Sequence, residues 1–342
     1  MKLSSYLGGL LAGLGLLALA NGASAQSVAD FYKGRPLSLY IGYGAGGGYD
    51  LYSRLLAKHI GRHLPGNPNV IPRNEPGAGS FKLANELYQV LPRDGSVVGM
   101  FSEALIISQI LGDPAAKFVP GEFNWIGRLA DSDAVLVTTP NAPVKSFKDS
   151  LQTEVVIGVP GAGSATLLNV TVVKNLFNTK FKFVSGYEGS AQLRLAMERG
   201  EVQGSGSTLW RVDRNWIREL GYHVIYQASL EQAPDLPEAP TLVSLARDDN
   251  ERKLLRFFSS YTTIGRSIVA PPQVPMDRVK ALRAAFDAAV KDPAFLADAA
   301  QGKMDIATLS GEKLEALIAE VSSLDPATLA LAKKLSGDKA GD

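Results

Sequence analysis

Cysteine is absent from all 342 residues. Disulfides, thiolate nucleophiles, Cys-bearing metal sites and lipid attachment at an N-terminal cysteine are therefore excluded. Histidine is scarce, with His59, His63 and His223 the only three. His59 and His63 have the i, i+4 spacing of a zinc helix, but Ile60 stands where the HExxH glutamate belongs. Two imidazoles near a helix C-terminus favour its dipole, which is the simpler reading. No GxSxG and no Walker A sequence occurs, so neither a serine triad nor a nucleotide-phosphate loop is announced. Charge of one sign is lacking as well. With Lys2 set aside, 34 basic residues face 34 acidic ones, which gives no general grip on nucleic acid or an anionic membrane. Beyond the first 25 residues no apolar run approaches the roughly 18 residues of a membrane span.

Those first residues form a leader. Lys2 is followed by the apolar stretch Leu7 to Ala20, and Ala23-Ser24-Ala25 supplies the small-x-small pattern before Gln26. That order is a secretory signal peptide, cleaved after Ala25. The mature chain is expected in a bacterial periplasm, where no working pool of NAD or ATP exists. Hydrophobic residues at 46% and charged residues at 20% match ordinary globular domains, and the length suits two domains of about 100–200 residues each.

Strand-like and helical patterns alternate along the chain. Leu37–Ile41 is a short apolar run, followed by the glycine-crowded turn "GYGAGGG" and a helical stripe at Leu51, Leu55, Leu56, Ile60 and Leu64. "NVIPRN" reads as an edge strand because Pro72 cannot complete a ladder. Val97–Phe101 is another strand. The grammar restarts at "EVVIGVPGAGSATLLNVTVVKNLF", with strand Val155–Val159, a second glycine turn, and a helix bearing Leu167, Leu168, Val172 and Leu176. This βαβ order predicts an α/β fold of mostly parallel sheets flanked by helices. "NWIGRLADSDAVLVTTP" and "FFSSYTTIGRSIVAPP" read as extended segments that carry the chain between two lobes and back. Helices at Asp277–Val290 and Gly311–Val321 would then complete the first lobe, and "KKLSGDKAGD" would be a polar, fraying tail.

The first turn contains Gly42-x-Gly44-x-x-Gly47, the spacing of a dinucleotide-binding loop. A Rossmann site also wants an acid about 20 positions on, and "RHLPGNPNV" offers none. Five glycines within seven residues produce the spacing by themselves, and no cofactor is expected. What remains is the physics of such a turn: glycines admit close backbone approach, and the following helix offers unpaired N–H groups and a positive dipole end. Asp50 is read as a first-turn acid.

"YGAGGGYDLYSRLLAKHI", "NEPGAGS", "RDGSVVGM", "GVPGAGSATLL", "GYEGSAQLRLAMERGEVQG" and "APDLPEAPTLVSL" occur in that order. Together they resemble the receptors of tripartite tricarboxylate transporters, the Bordetella-uptake-gene type of periplasmic solute-binding protein, from about Phe31 to Val321. The resemblance implies a two-lobed flytrap that closes on a small carboxylate and delivers it to membrane transporter subunits. It implies lobes at 26–128 plus 262–342 and at 129–261, and a monomer. It also implies a receptor and not an enzyme. A hydrolase using carboxylates far apart in sequence, or a ligand-loaded sensor partner, are the alternatives.

Carried over by resemblance, one ligand loop falls on Tyr43, Gly44, Ala45, Gly46, Gly47 and Tyr49. The other falls on Gly161, Ala162, Gly163, Ser164, Ala165 and Thr166. Gly79 and Ser102 would line the first side, with Tyr187 and Trp210 facing them, unless those two aromatics are core residues. The chain departs from the family pattern at Tyr49, where threonine is usual, and at Glu188, where a base is common. Glu188 reads most simply as a solvated loop charge, with a lobe-to-lobe contact or a binder of an amino or hydroxyl group as the alternatives. No arginine or lysine lies in either glycine loop. Aromatic faces at Tyr43 and Tyr49 therefore point to a mono- or dicarboxylate with a flat or apolar, possibly aromatic, body, and not to citrate.

Overall fold

The protein is described from a computed structural model covering residues 27–337; the leader, its cleavage point and residues 338–342 lie outside the described residues. In chain order the strands are β1 (Leu37–Ile41), β2 (Val70–Asn74), β3 (Val97–Met100), β4 (Asn124–Arg128), β5 (Ala134–Thr138) and β6 (Val155–Val159). Then come β7 (Phe181–Ser185), β8 (Gly204–Leu209), β9 (His223–Gln227), β10 (Ser267–Ala270) and β11 (Leu309–Ser310). They build two sheets, ordered β11-β4-β10-β3-β1-β2 and β7-β6-β8-β5-β9. Each sheet with its covering helices is one lobe of a two-lobed α/β architecture.

Both sheets are mixed, where mostly parallel ones were expected. Each has a parallel trio, β2-β1-β3 in the first and β7-β6-β8 in the second. The remaining pairings are antiparallel: β10 runs against both β3 and β4, β11 against β4, and β5 against both β8 and β9, so that β4 and β9 still point the same way as their trios. β5 and β10, by which the chain enters a lobe from the other one, come in from the opposite end and so run against the βαβ direction. Pro72 lies in β2 at the sheet edge, where a missing N–H costs no ladder bond.

In each trio the chain moves outward from the central strand to one side, then returns to the other. The carboxyl ends of β1 and β3, and of β6 and β8, are therefore switch points, where the diverging loops leave a crevice for ligand. Both glycine turns sit there. One runs from Gly42 into the Gly48–Ile60 helix, the other from Pro160 into the Ala165–Phe177 helix.

Leu37, Leu39 and Ile41 of β1 pack with Leu55, Leu56 and Ile60, joined by Val279, Leu282 and Phe286 of the Met276–Ala289 helix. That late helix does return to the first lobe. The Pro326–Ser336 helix does not follow it. Ala332 and Leu335 join the second lobe's core with Leu168 and Val172, and Asn175 Nδ2 donates to Leu335 O at 2.7 Å. The Ala165–Phe177 helix is too apolar to leave a flank in water, with Thr171, Val172 and Val173 all buried. Burying such a flank favours docking the C-terminal helix on the second lobe. Residues 333–336, expected in a fraying tail, belong to this helix. The return crossing also differs from expectation: it runs through the Asp249–Ser259 and Tyr261–Ile264 helices before β10, and is not extended throughout.

Candidate functional site

The two glycine turns meet across the seam between the lobes. Gly44 N donates to Glu188 O at 3.0 Å, and Gly163 N donates to Ala78 O at 3.1 Å. These bonds join the lobes backbone to backbone, so the conformation is a closed one. Glu188, read as a solvated loop charge, is a lobe-to-lobe contact: a Cβ on Gly44 would lie 3.2 Å from its side chain.

Closure leaves a small, partly open cavity of about 80 Å³. The first lobe walls it with Tyr43, Gly46, Gly47, Gly48, Tyr49 and Glu103, and the second with Ser164, Ala165, Thr166, Ser190, Arg194 and Ser207. Ser132 and Arg266, at the two crossings, complete it. Three helices aim their N-termini here: Gly48–Ile60 from the first lobe, and Ala165–Phe177 and Ser190–Glu198 from the second. Ser164 caps its own helix by accepting from Leu167 N. The caps Gly47 and Gly189 have no side chain to do so. Two sets of orphan N–H groups, each at a positive dipole end, thus face one small space from opposite lobes.

A buried ion pair lies beneath the first turn. Arg266 and Glu103 are 5% and 2% exposed, and Arg266 Nη1 donates to Glu103 Oε1 at 2.8 Å. Ser132 Oγ donates to the same oxygen at 2.6 Å, and the Tyr49 hydroxyl donates to Glu103 Oε2. Glu103 is thereby saturated. Burial works against the Arg266 charge, but Glu103 outweighs it and holds the guanidinium's pKa above its ordinary value. Removing one partner of such a pair costs about 3–5 kcal/mol, because the other is left charged and buried. Arg266 Nε finds no partner.

Tyr49 is held on both faces. Its ring stacks on Tyr43 with centroids 4.3 Å apart, and the Arg266 guanidinium carbon lies 3.9 Å from its centre. Two groups that close must occupy opposite faces. Burial pushes the Tyr43 phenol up to about 12 and that of Tyr49 well above its usual range, so both rings stay neutral donors. Asp50 keeps the turn in shape: Oδ2 accepts from Gly46 N at 2.9 Å, and Oδ1 accepts from Arg54 and Asn74. It is the first-turn acid that its position suggests.

Of the residues expected to line the site, the structure brings Tyr43, Gly46, Gly47, Tyr49, Ser164, Ala165 and Thr166 to the cavity. Others serve elsewhere. Trp210 is a core residue, 2% exposed, packed with Val135, Val137 and Ile217. Its Nε1 is satisfied by Asp235 at 2.8 Å, which turns the indole away from the seam. Tyr187, Gly79, Gly161 and Ala162 line a larger, more open cavity of about 680 Å³ on the other side of the turns. Gly163 is pressed into the Gly77–Gly79 backbone, Gly44 against Glu188, and Ala45 points to solvent. Ser102 is fully buried behind Tyr43. The aromatic-bodied ligand loses its ground, because both faces of Tyr49 are taken and Trp210 is absent.

Arg266, Glu103, Ser132 and Arg194 escaped the sequence reading. Their signal was isolation: Arg266 is the one base in the apolar return crossing, and Glu103 the one acid between a strand and an apolar helix. Arg194 is ion-paired with Asp213 and lies over Trp216, so the basic groups at the cavity are balanced by acids. His59 and His63 face Asp298 and Asp292, at 2.6 and 2.8 Å. These contacts tie the Gly48–Ile60 helix and its continuation to the Pro293–Gln301 segment. Among the described residues no cluster of metal-ligating side chains forms, and no helix is long and apolar enough to cross a membrane.

Comparison with known proteins places this geometry. The sequence profile of the tripartite tricarboxylate transporter family receptor matches residues 53–329. A UPF0065 protein of Cupriavidus necator, encoded in the gbd 5' region, is 26% identical over 330 residues, 93% of this chain and 92% of that protein. Among solved structures, the periplasmic binding protein BugD superposes with a TM-score of 0.70 at 20% identity, over 89% of this chain and 98% of its own. MatC from Rhodopseudomonas palustris, with bound malate, superposes with a TM-score of 0.68 at 16% identity, over 88% of this chain and 99% of that one. An adipate-bound protein of R. palustris gives 0.67 at 17% identity, over 89% and 97%.

Proposed function

Because the chain belongs to the tripartite tricarboxylate transporter receptor family, we propose that it is a periplasmic receptor that closes its two lobes on a small organic carboxylate. On this reading the leader is cleaved after Ala25, the mature protein is a soluble monomer, and the loaded form delivers its ligand to membrane transporter subunits. The lobes divide near residues 128 and 261, with the C-terminal helix docked on the second. The malate- and adipate-bound neighbours support the ligand class.

The observation that carries the reading is the pair of uncapped helix N-termini, at Gly47 and Gly189, facing one small cavity from opposite lobes. An anionic oxygen placed there satisfies donors from both lobes at once, so binding energy becomes closing energy. An open form leaves the two sets of donors in water, too far apart to share one acceptor.

The test is thermal denaturation of ligand-stripped protein against a panel of organic acids. At a concentration of about 100 times Kd, a ligand for one site adds about 2.7 kcal/mol, a clear rise in Tm. Scattering should show a smaller radius of gyration at saturation. A panel of mono-, di- and tricarboxylates that produces no stabilisation refutes the reading.

A further inference from the structure

We propose that Arg266 is the ligand's carboxylate anchor and that the site selects a short aliphatic monocarboxylate, plain or hydroxylated, over aromatic, long dicarboxylate and tricarboxylate ligands. This rests on the receptor reading above and narrows it.

The first ground is an unused edge. Glu103 takes Nη1 of Arg266, which leaves the Nε side of the guanidinium. Nε is buried and without a partner. A buried, unpaired donor on a charged group is costly, and it persists here at the wall of the cavity. That edge lies beside the first turn: a Cβ built on Gly48 would stand 3.9 Å from Nε and 4.0 Å from Nη2. Nε and Nη2 form the parallel pair of donors that a carboxylate accepts in bidentate fashion. The uncapped N-terminus of the Gly48–Ile60 helix lies alongside it. The absence of a Cβ at Gly48 keeps that approach open.

Charge sets the number of carboxylates. Glu103 is saturated by Arg266, Ser132 and Tyr49, so the pair beneath the turn is neutral before ligand arrives. Arg194 is balanced by Asp213. One carboxylate then meets the unused guanidinium edge and the converging helix dipoles. A second would be desolvated with no cation left to receive it.

Space sets the length. At about 10–15 Å³ for each water-sized position, the cavity of about 80 Å³ admits on the order of six heavy atoms. Acetate, propionate and lactate fit that size; adipate and benzoate exceed it. The hydroxyls of Ser190 and Ser207 and the Thr166–Ser207 hydrogen bond, 2.6 Å long, supply partners for a ligand hydroxyl on the far wall. The closed Tyr43–Tyr49–Arg266 stack offers no face to an aromatic ring.

Calorimetry on refolded, ligand-free protein should use acetate, lactate, succinate, adipate, benzoate and citrate. We expect one of the two short monocarboxylates to bind tightest, by at least tenfold. Three variants separate anchoring from structural support. Arg266→Lys keeps the charge and loses the fork, and should weaken binding at least tenfold. Arg266→Met combined with Glu103→Gln removes the buried charges together; it should fold, by circular dichroism and Tm, and lose at least 100-fold in affinity. Glu103→Gln alone should tighten binding by about threefold or more, because it lifts a negative charge from the anchor. A purely structural ion pair predicts the opposite: the double variant binds within threefold of wild type and Glu103→Gln weakens binding. Either result overturns the anchor, as does tightest binding of succinate, adipate, benzoate or citrate. Wild-type protein that binds none of the six while another acid stabilises it removes this inference and leaves the receptor reading standing. Failure with every acid tried removes both.

Discussion

In the first glycine turn, a Cβ added to Gly44, Gly46, Gly47 or Gly48 would meet mainly side-chain atoms of the opposite lobe: Glu188, Ala191 Cβ at 3.7 Å, Ser190 Oγ at 2.8 Å and Leu209 Cδ1 at 3.1 Å. In the second turn, a Cβ on Gly161 would meet Gly79 N at 2.9 Å, and one on Gly163 would meet Gly79 O at 2.8 Å and Leu105 at 2.5 Å. The first turn therefore faces movable groups across a cavity, while the second is pressed into backbone at Gly161 and, at Gly163, into the Gly79 carbonyl together with the packed core side chains Leu105 and Phe81, the latter at 2.7 Å. Glycine is needed in both, for different reasons. At the first it leaves room for a ligand. At the second it lets two main chains touch, so that the lobes can close at all. Similar spelling in sequence does not imply the same work, because a turn's role is set by what packs opposite it.

The largest effect should come from Gly163→Val. Neither the Gly79 carbonyl nor Leu105 can yield enough for a branched side chain, so the closed form should be lost. Affinity is expected to fall at least 100-fold, about 2.7 kcal/mol, with no ligand-induced compaction in scattering. Gly163→Val protein that still compacts would place the two turns on equal terms.

Gly46→Ala is next. Gly46 has φ +83° and an open neighbourhood, so the cost is backbone strain of about 1–2 kcal/mol and not a clash. Affinity should drop roughly tenfold at most, with compaction retained. A loss as large as that of Gly163→Val would break the comparison.

Tyr49→Phe leaves the stack on Tyr43 and Arg266 and removes the hydroxyl that serves Glu103. One unmade bond at a buried carboxylate should cost about 1–3 kcal/mol, measured by chemical denaturation, with ligand preference unchanged. A shift in preference would show that the Tyr49 hydroxyl itself reaches the ligand.

The smallest effect concerns Asp50. Burial pushes its carboxyl up, but bonds from Arg54, Gly46 N–H and Asn74 outweigh that and hold it below 3.8. A depressed folded pKa contributes stability that is present above the unfolded value and lost as pH falls through the folded one. Wild type should thus lose a small increment of Tm relative to Asp50→Asn as pH falls below the unfolded carboxylate value of about 3.9. Parallel pH profiles for the two proteins would show that the tether is not ionic.

Much of the fold was legible in the sequence because its signals are local. β1 and β6 lie where their apolar runs predict, and the glycine turns and following helices start where residue conformational preferences place them. Pro72 marks a sheet edge. The site was legible only in part. Tyr43, Gly46, Gly47, Tyr49 and Ser164 to Thr166 come from the turns themselves, so a motif could find them. Trp210 could not be assigned, since one residue's rotation at the end of β8 decides between seam and core, and that depends on Asp235.

By itself, then, the sequence determined the alternation of strands and helices, the two turns, the leader pattern and the family. Each follows from properties of neighbouring residues: apolar period, glycine's freedom, proline's missing donor. Only the tertiary structure decided that the sheets are mixed, that the last helix straps the second lobe, and that Arg266 meets Glu103 across 163 positions of chain. Such a pair has no local signature. Its energy exists only after the return crossing has been brought against the loop that follows β3 and water removed, which is when an isolated charge becomes either a liability or a site.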